Sequence, residues 1–141
     1  MADLPRRRRE KGASKTSGSS GTMPDAVLTR VRGTIIVTFQ GSADSGTLAT
    51  VSRMLAEELG ARETRGVVLE ISACEVIDVD EFSGLLKLVC LIKWLGLVGV
   101  IAGLRPGLVI YLVSAGVSAG AARTALDLEQ ALSEIDAGSD V

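Results

Sequence analysis

The stretch Gly66-Val67-Val68-Leu69-Glu70-Ile71-Ser72, followed after three residues by Val76-Ile77-Asp78-Val79-Asp80-Glu81, decides how this chain is read. Its first half is a short, almost continuous apolar run rich in β-branched residues, the pattern of a strand buried on both faces, and a strand is expected over Arg65–Ile71. Its second half ends in three carboxylates ahead of the apolar residues Phe82, Leu85, Leu88, Val89, Ile92 and Leu95, which fall on one face at 100° per residue. A buried strand therefore hands over to a helix expected over Asp80–Leu95, with Asp78 or Asp80 available to cap it. Asp78 and Glu81 have the spacing of a capping box.

The pattern continues in both directions. Downstream, a strand is expected over Leu97–Ala102. Pro106 suits the first turn of a helix running to about Ala115, with Gly116 as its stop. A short strand at Ala122–Ala125 and a helix from Asp127 to Ile135 follow. Upstream, Val27–Val31 and Thr34–Phe39 flank Arg32-Gly33 as a hairpin, and Leu48, Val51, Leu55 and Leu59 recur at helical spacing within Thr47–Leu59. The resulting order, β-β-α-β-α-β-α-β-α, implies an α/β fold: a mixed β-sheet covered by about four helices.

Composition bounds the function. The 141 residues are 47% hydrophobic but only 3% aromatic, which suits one core of Val, Ile, Leu and Ala. The net charge of −2 is unevenly placed, because residues 1–23 hold six basic and two acidic side chains, a net +4, leaving −6 for residues 24–141. The acidic domain argues against a nucleic-acid grip. The expected organisation is a disordered basic tail over 1–23, a folded domain over 24–136 and a flexible C-terminus over 137–141. The tail is a solvated segment, a stretch before Met23 foreign to the native protein, or an electrostatic contact for an acidic partner or nucleic acid.

Met1 to Arg9 is followed by no apolar run, so no secretory signal is expected. Leu85 to Leu104 is 20 residues long with only Lys87 and Lys93 charged, but Gly96, Gly99 and Gly103 divide it, so a helix and a strand are expected there and no membrane span. Cys74 and Cys90 lie in apolar surroundings; two thiols without a histidine suggest buried, reduced cysteines of a cytoplasmic protein.

Catalysis finds little support. With no histidine, the usual general base and every His-based triad or metal site are missing, and no cofactor is expected. Asp78, Asp80 and Glu81 are explained by capping and the helix dipole. Gly41-Ser42-Ala43-Asp44-Ser45-Gly46 lacks a Walker lysine, so capping oxygens are expected there rather than a phosphate cradle. Gly116-Val117-Ser118-Ala119-Gly120 follows a helix and lacks the dinucleotide spacing. A binding module fits better. On the second helix Ser83, Lys87, Cys90 and Trp94 form a stripe opposite the core face, with Leu91 alongside. Trp94 is there either an interface anchor or a lid over the helix end.

Gly66–Ser72, Gly103-Leu104-Arg105-Pro106-Gly107 and Thr124-Ala125-Leu126-Asp127-Leu128-Glu129-Gln130 together resemble the STAS (SpoIIAA-like) domain, more narrowly the RsbS type of stressosome scaffold and anti-sigma-factor antagonist. The resemblance runs from Gly66 to Leu132 and more loosely back to Val27. It implies a non-catalytic protein that assembles with RsbR-like STAS proteins, in a homo-oligomer or large hetero-oligomer, and holds an RsbT-like serine kinase. In that family a serine after the junction aspartate is phosphorylated; Asp78 matches the aspartate, but Val79 stands at the acceptor position. The second acceptor known in RsbR relatives, a threonine of the third helix, falls nearest to Tyr111.

Three readings of that departure stay open: Ser83 as a displaced phosphorylation site, Asp80 and Glu81 as permanent negative charge, or a scaffold that never switches. The implied partner-binding residues are Asp78, Val79, Asp80, Glu81, Ser83, Trp94, Arg105 and Tyr111. Alternatives are a stand-alone antagonist binding a kinase-like anti-sigma factor directly, a membrane-associated transporter accessory, and a small-ligand-binding variant using the Gly41–Gly46 loop.

Overall fold

Hydrogen bonding between β-branched runs builds the centre of the molecule. In the computed structural model, which describes residues 25–118, 120 and 122–139, five strands form one sheet in the order β1-β2-β3-β4-β5. These are β1 (Ala26–Val31), β2 (Thr34–Phe39), β3 (Gly66–Glu70), β4 (Val98–Ala102) and β5 (Arg123–Ala125). β1 and β2 pair antiparallel, from Ala26 opposite Phe39 to Val31 opposite Thr34; the remaining pairs are parallel. Arg32 and Gly33 turn the hairpin with φ of 49° and 81°, the two left-handed residues that a two-residue type I′ connection requires.

Four helices cover this sheet among the described residues: α1 (Ser45–Ala61), α2 (Val79–Trp94), α3 (Pro106–Ser114) and α4 (Leu128–Ser139). The order is the one expected from the sequence, and the fold is the mixed α/β arrangement. Boundaries moved by a few residues. α1 extends two residues beyond the expected range at each end, and α2 begins at Val79. α4 continues to Ser139, past the expected stop at Ile135 and into the segment expected to be flexible. Residues 1–23 and 140–141 lie outside the described residues.

Alternation along the strands sorts the core into two layers. Ile35, Val37, Phe39, Val67, Leu69 and Ile101 face α1, α2 and α3, where they meet Val51, Leu55, Phe82, Leu85, Ile92, Leu108 and Leu112. Ile36, Val68, Val100 and Ala102 face the other way, onto Ala131 and Ile135 of α4. Burying Ile135, a fully covered side chain, contributes roughly 1.5–3 kcal/mol to holding α4 down.

The strands run so that β2, β3, β4 and β5 end at one edge, and the loops that precede α1, α2 and α3 gather there. The chain joins the fold at the same edge, where Gln40 N–H donates to Asp25 O at 2.7 Å. α4 leaves from this edge after β5 and finishes at the opposite one. A Cβ on Gly138 would lie 3.1 Å from Val98, the first residue of β4.

The run Leu85–Leu104 is divided as expected, into the end of α2 and all of β4, and no helix among the described residues is long and apolar enough to cross a membrane. One expectation fails within it. Leu95, placed on the core face by helical periodicity, is exposed, because α2 ends at Trp94 and Leu95 is already the cap residue.

Candidate binding edge at the start of α2

β3 ends at Glu70, and the seven residues after Ile71 cross the sheet edge before α2 begins at Val79. Ile71 N–H still donates to Ala102 O at 3.0 Å, so the ladder closes one residue past the strand. The Glu70 carboxylate accepts from Ser72 N at 2.8 Å and Ser72 Oγ at 2.7 Å, and Cys74 N–H turns back onto Ile71 O at 3.0 Å. Cys74 and Ile77 are buried and pin the loop from below, while Val76 between them is 77% exposed. Gly103 is required beside this loop: its φ is +93°, and a Cβ there would lie 2.7 Å from Ser72 N.

Arg105 fastens the loop from the side. Its guanidinium donates to Ser72 O at 2.8 Å, Cys74 O at 2.7 Å and Glu75 O at 3.0 Å. The fork geometry of arginine suits such a set of carbonyls. This residue, expected at a partner surface, thus directs its charge inward onto the backbone that carries the other candidate residues.

α2 opens with the expected capping box. Asp78 Oδ1 accepts from Glu81 N at 2.7 Å and Glu81 Oε1 accepts from Asp78 N at 3.0 Å, so each carboxylate satisfies an N–H of the helix start. Val79 occupies the first helical position and is half-buried; Asp78 and Asp80 are exposed, and Ser83 is half-buried one turn further on. Asp78, Asp80 and Glu81 concentrate negative charge where the helix dipole tolerates it.

Of the two cysteines expected to be buried, only Cys74 is. Cys74 is buried, and burial pushes its thiol pKa up, with Glu81 and Glu70 adding to the rise and Arg105 opposing it; the group is therefore a protonated, inert thiol. Cys90 is exposed rather than buried, because it lies on the stripe of α2 opposite Phe82 and Leu85. Among the described residues no cluster of His, Cys, Asp or Glu has the makings of a metal site.

The Gly41–Gly46 loop is a cap. Asp44 Oδ1 accepts from Thr47 N at 2.9 Å, and this bond, foremost, holds the Asp44 carboxyl below its usual pKa. Ser42 Oγ in turn accepts from Asp44 N at 3.2 Å. The side-chain oxygens of Ser42 and Asp44 are thus engaged with backbone N–H groups of the loop and the helix start.

The candidate residues divide into two groups. Asp78, Val79, Asp80, Glu81, Ser83 and Arg105 share the edge where the parallel strands end. Trp94 closes the far end of α2, roughly 22 Å away at 1.5 Å per residue. Trp94 is 83% exposed, which rules out its serving as a lid over neighbouring apolar side chains. Tyr111, on the half-buried helix α3, is also exposed. Around it lie Val109, Ile110 and Val113, exposed residues that the sequence reading passed over. Their signal was present: Pro106–Ser114 is apolar around its whole circumference and has no polar face to give to water.

No protein-family model matches this chain, and no curated protein sequence does. Solved structures do resemble it. RsbS of Moorella thermoacetica, in a form with glutamate replacing a serine, superposes with a TM-score of 0.69 at 24% identity, over 82% of this chain and 98% of that one. A chain of the stressosome, described as a signal integration and transduction hub, gives 0.67 at 23% identity over 82% of this chain and 100% of that one. The anti-sigma factor antagonist SpoIIAA, in its unphosphorylated form, gives 0.57 at 10% identity over 79% and 97%. The chain has the STAS, SpoIIAA-like fold.

Proposed function

We propose that this chain is a non-catalytic, cytoplasmic scaffold and anti-sigma-factor antagonist of the RsbS type. It assembles with longer, RsbR-like STAS proteins and sequesters an RsbT-like serine kinase at the edge formed by Asp78, Val79, Asp80, Glu81 and Ser83. The observation that carries this reading is the combination of a near end-to-end likeness to RsbS with an exposed, acidic helix start braced from behind by Arg105. A braced loop presents its side chains in one geometry, which lowers the ordering cost of binding. The absence of any histidine and the engagement of the carboxylates in capping support a binding rather than a catalytic role.

Val79 makes the edge unlike a switch. A hydroxyl-directed kinase finds no acceptor at that position, so the reading carries a stably engaged scaffold, with Asp80 and Glu81 holding permanent charge beside it. Affinity capture of the intact protein from its own cells, followed by mass spectrometry, tests this directly. Longer STAS proteins together with a small serine kinase are expected; recovery of membrane proteins alone would refute it. Incubation with the recovered kinase should leave the chain unmodified, and phosphate on Ser83, abolished by Ser83→Ala, would sink the unswitched reading.

A second reading is favoured by the likeness to SpoIIAA: a stand-alone antagonist that binds a kinase-like anti-sigma factor. It predicts capture of that factor alone, in a small complex.

A further inference from the structure

The C-terminal end of α2 carries an apolar tip whose backbone is already satisfied. Gly96, at φ +83°, turns the chain back, so that its N–H donates to Lys93 O at 2.9 Å. Leu97 N–H donates to Ile92 O and Leu95 N–H to Leu91 O, each at 3.2 Å. This Schellman arrangement engages the carbonyls of Leu91, Ile92 and Lys93 within the chain and removes the cost they would otherwise bring into an apolar medium. Leu91, Trp94 and Leu95, spaced i, i+3 and i+4, share one side of that end and are 49%, 83% and 56% exposed. Trp94 alone presents on the order of 200 Å².

The tip stands at the edge where the parallel strands begin, and charge there is opposite in sign to that of the binding edge. The ion pairs Arg30–Glu58, Arg65–Asp136 and Arg123–Glu134 cancel. What remains in the turns and last helical turns is Arg32 of the hairpin, Arg62 after α1 and Lys93 of α2, against Glu63, a net +2. The three bases are exposed and enter no ion pair among the described residues. Residues 70–81, by contrast, hold five carboxylates and no base, and Arg105 beside them leaves −4. A strand's length of roughly 17 Å separates the two edges, about twice the ~8 Å over which charge is felt at physiological ionic strength. An anionic surface laid against the strand-starting edge is therefore attracted by its bases and screened from the carboxylates beyond.

A protein partner and a lipid surface demand different things of such a tip. At its exposure Trp94 has no walls around it, so a protein would have to bring the whole pocket, whereas a bilayer moulds itself around a projecting side chain. Tryptophan and leucine beside lysine is also the composition of the headgroup layer's protein contacts, with the ring in the interface and the ammonium reaching to phosphate.

We infer that the strand-starting edge docks on an anionic phospholipid bilayer, Leu91, Trp94 and Leu95 entering the headgroup layer and Lys93, Arg62 and Arg32 drawn to its phosphates. The Asp78–Ser83 edge then faces away from the bilayer and stays open to its own partner. Docking of this kind goes beyond the function proposed above and does not depend on it.

Co-sedimentation of the full-length protein with vesicles of mixed phosphatidylglycerol and phosphatidylcholine, compared with phosphatidylcholine alone, tests the inference. Trp94 is the single tryptophan, so its emission reports on this edge. The protein should pellet with the anionic vesicles only, and Trp94 emission should shift to the blue as it does. Lys93→Glu changes the charge by two units at an exposed position and should weaken binding about 25-fold, at about five-fold per unit charge near an anionic surface. Trp94→Ser should weaken it about tenfold or more. Far-UV circular dichroism checks that both variants fold.

Failure to pellet with anionic vesicles would overturn the inference. So would pelleting with unchanged Trp94 emission and indifference to both substitutions, which would move the contact to the basic residues 1–23. A blue shift given equally by polyglutamate would assign the edge to an acidic protein surface instead. The two proposals fail separately: a protein that ignores vesicles yet captures STAS proteins and a kinase loses only the lipid docking, and one that docks through Trp94 but captures neither loses only the function.

Discussion

Replacing Arg105 by alanine removes all three hydrogen bonds that tie the loop after β3 to the loop before α3. Hydrogen bonds from a charged donor contribute about 1.5–3 kcal/mol each when shielded, and water recovers much of that for exposed carbonyls. The bonds to Ser72 O and Glu75 O are exposed, whereas the one to Cys74 O, at 2.7 Å, is partly buried. Counting the shielded bond at the lower end of that range, about 1.5 kcal/mol, and the others at about 0.5 kcal/mol each gives a loss of roughly 2.5 kcal/mol. Against a total stability of about 5–15 kcal/mol this is a large fraction, and it corresponds to a fall in Tm of roughly 8–12 °C for a domain of this size. Arg105→Lys should recover less than half of the loss, since one ammonium cannot fork across three carbonyls. Urea denaturation followed by circular dichroism measures the effect, and hydrogen exchange at the Cys74 amide reports the loop itself. A loss under about 0.5 kcal/mol, with unchanged Cys74 exchange, would refute the strap as the element that holds the binding edge in place.

Three further outcomes follow from the same geometry. Asp78→Ala removes one arm of the capping box and frees the other, and should cost about 1 kcal/mol in chemical denaturation. Asp44 titrates below its usual value when folded, so the stability it contributes is present above the ordinary aspartate pKa and is lost as pH falls through the depressed one; Asp44→Asn should flatten the stability profile below about pH 4 and leave it unchanged in shape near neutrality. A thiol reagent applied to the native protein should modify a single cysteine per chain, mapped by peptide mass to Cys90, with Cys74 reacting only after unfolding.

The strands were legible because their physics is local. Val67, Val68 and Leu69 sit in a sheet flanked on both sides, so they need no polar face, and Arg32-Gly33 has the backbone freedom that a tight hairpin demands. The capping box was legible for the same reason, its two bonds spanning three residues. The path of Arg105 was not: its carbonyl partners lie 30 to 33 residues upstream, and nothing in the local sequence says where a long side chain will be satisfied. Cys90 illustrates a different failure: helical spacing already set it on the stripe opposite the core face, and its apolar sequence neighbours, which are not its neighbours in space on a helix, suggested burial instead. Leu95 shows the limit of periodicity itself, which ceases to apply at the residue where the helix stops.

The placement of Asp25 and of the end of α4 at opposite edges bears on how the protein can be labelled. Asp25 lies against Gln40 at the edge that carries Asp78 and Asp80, whereas α4 ends beside Val98 at the other edge, a strand's length of roughly 17 Å away. A bulky label attached at Asp25 itself would thus sit next to the very surface whose partners are sought, and compete with them. The same label at Gly138 starts from the far side, leaving that surface clear.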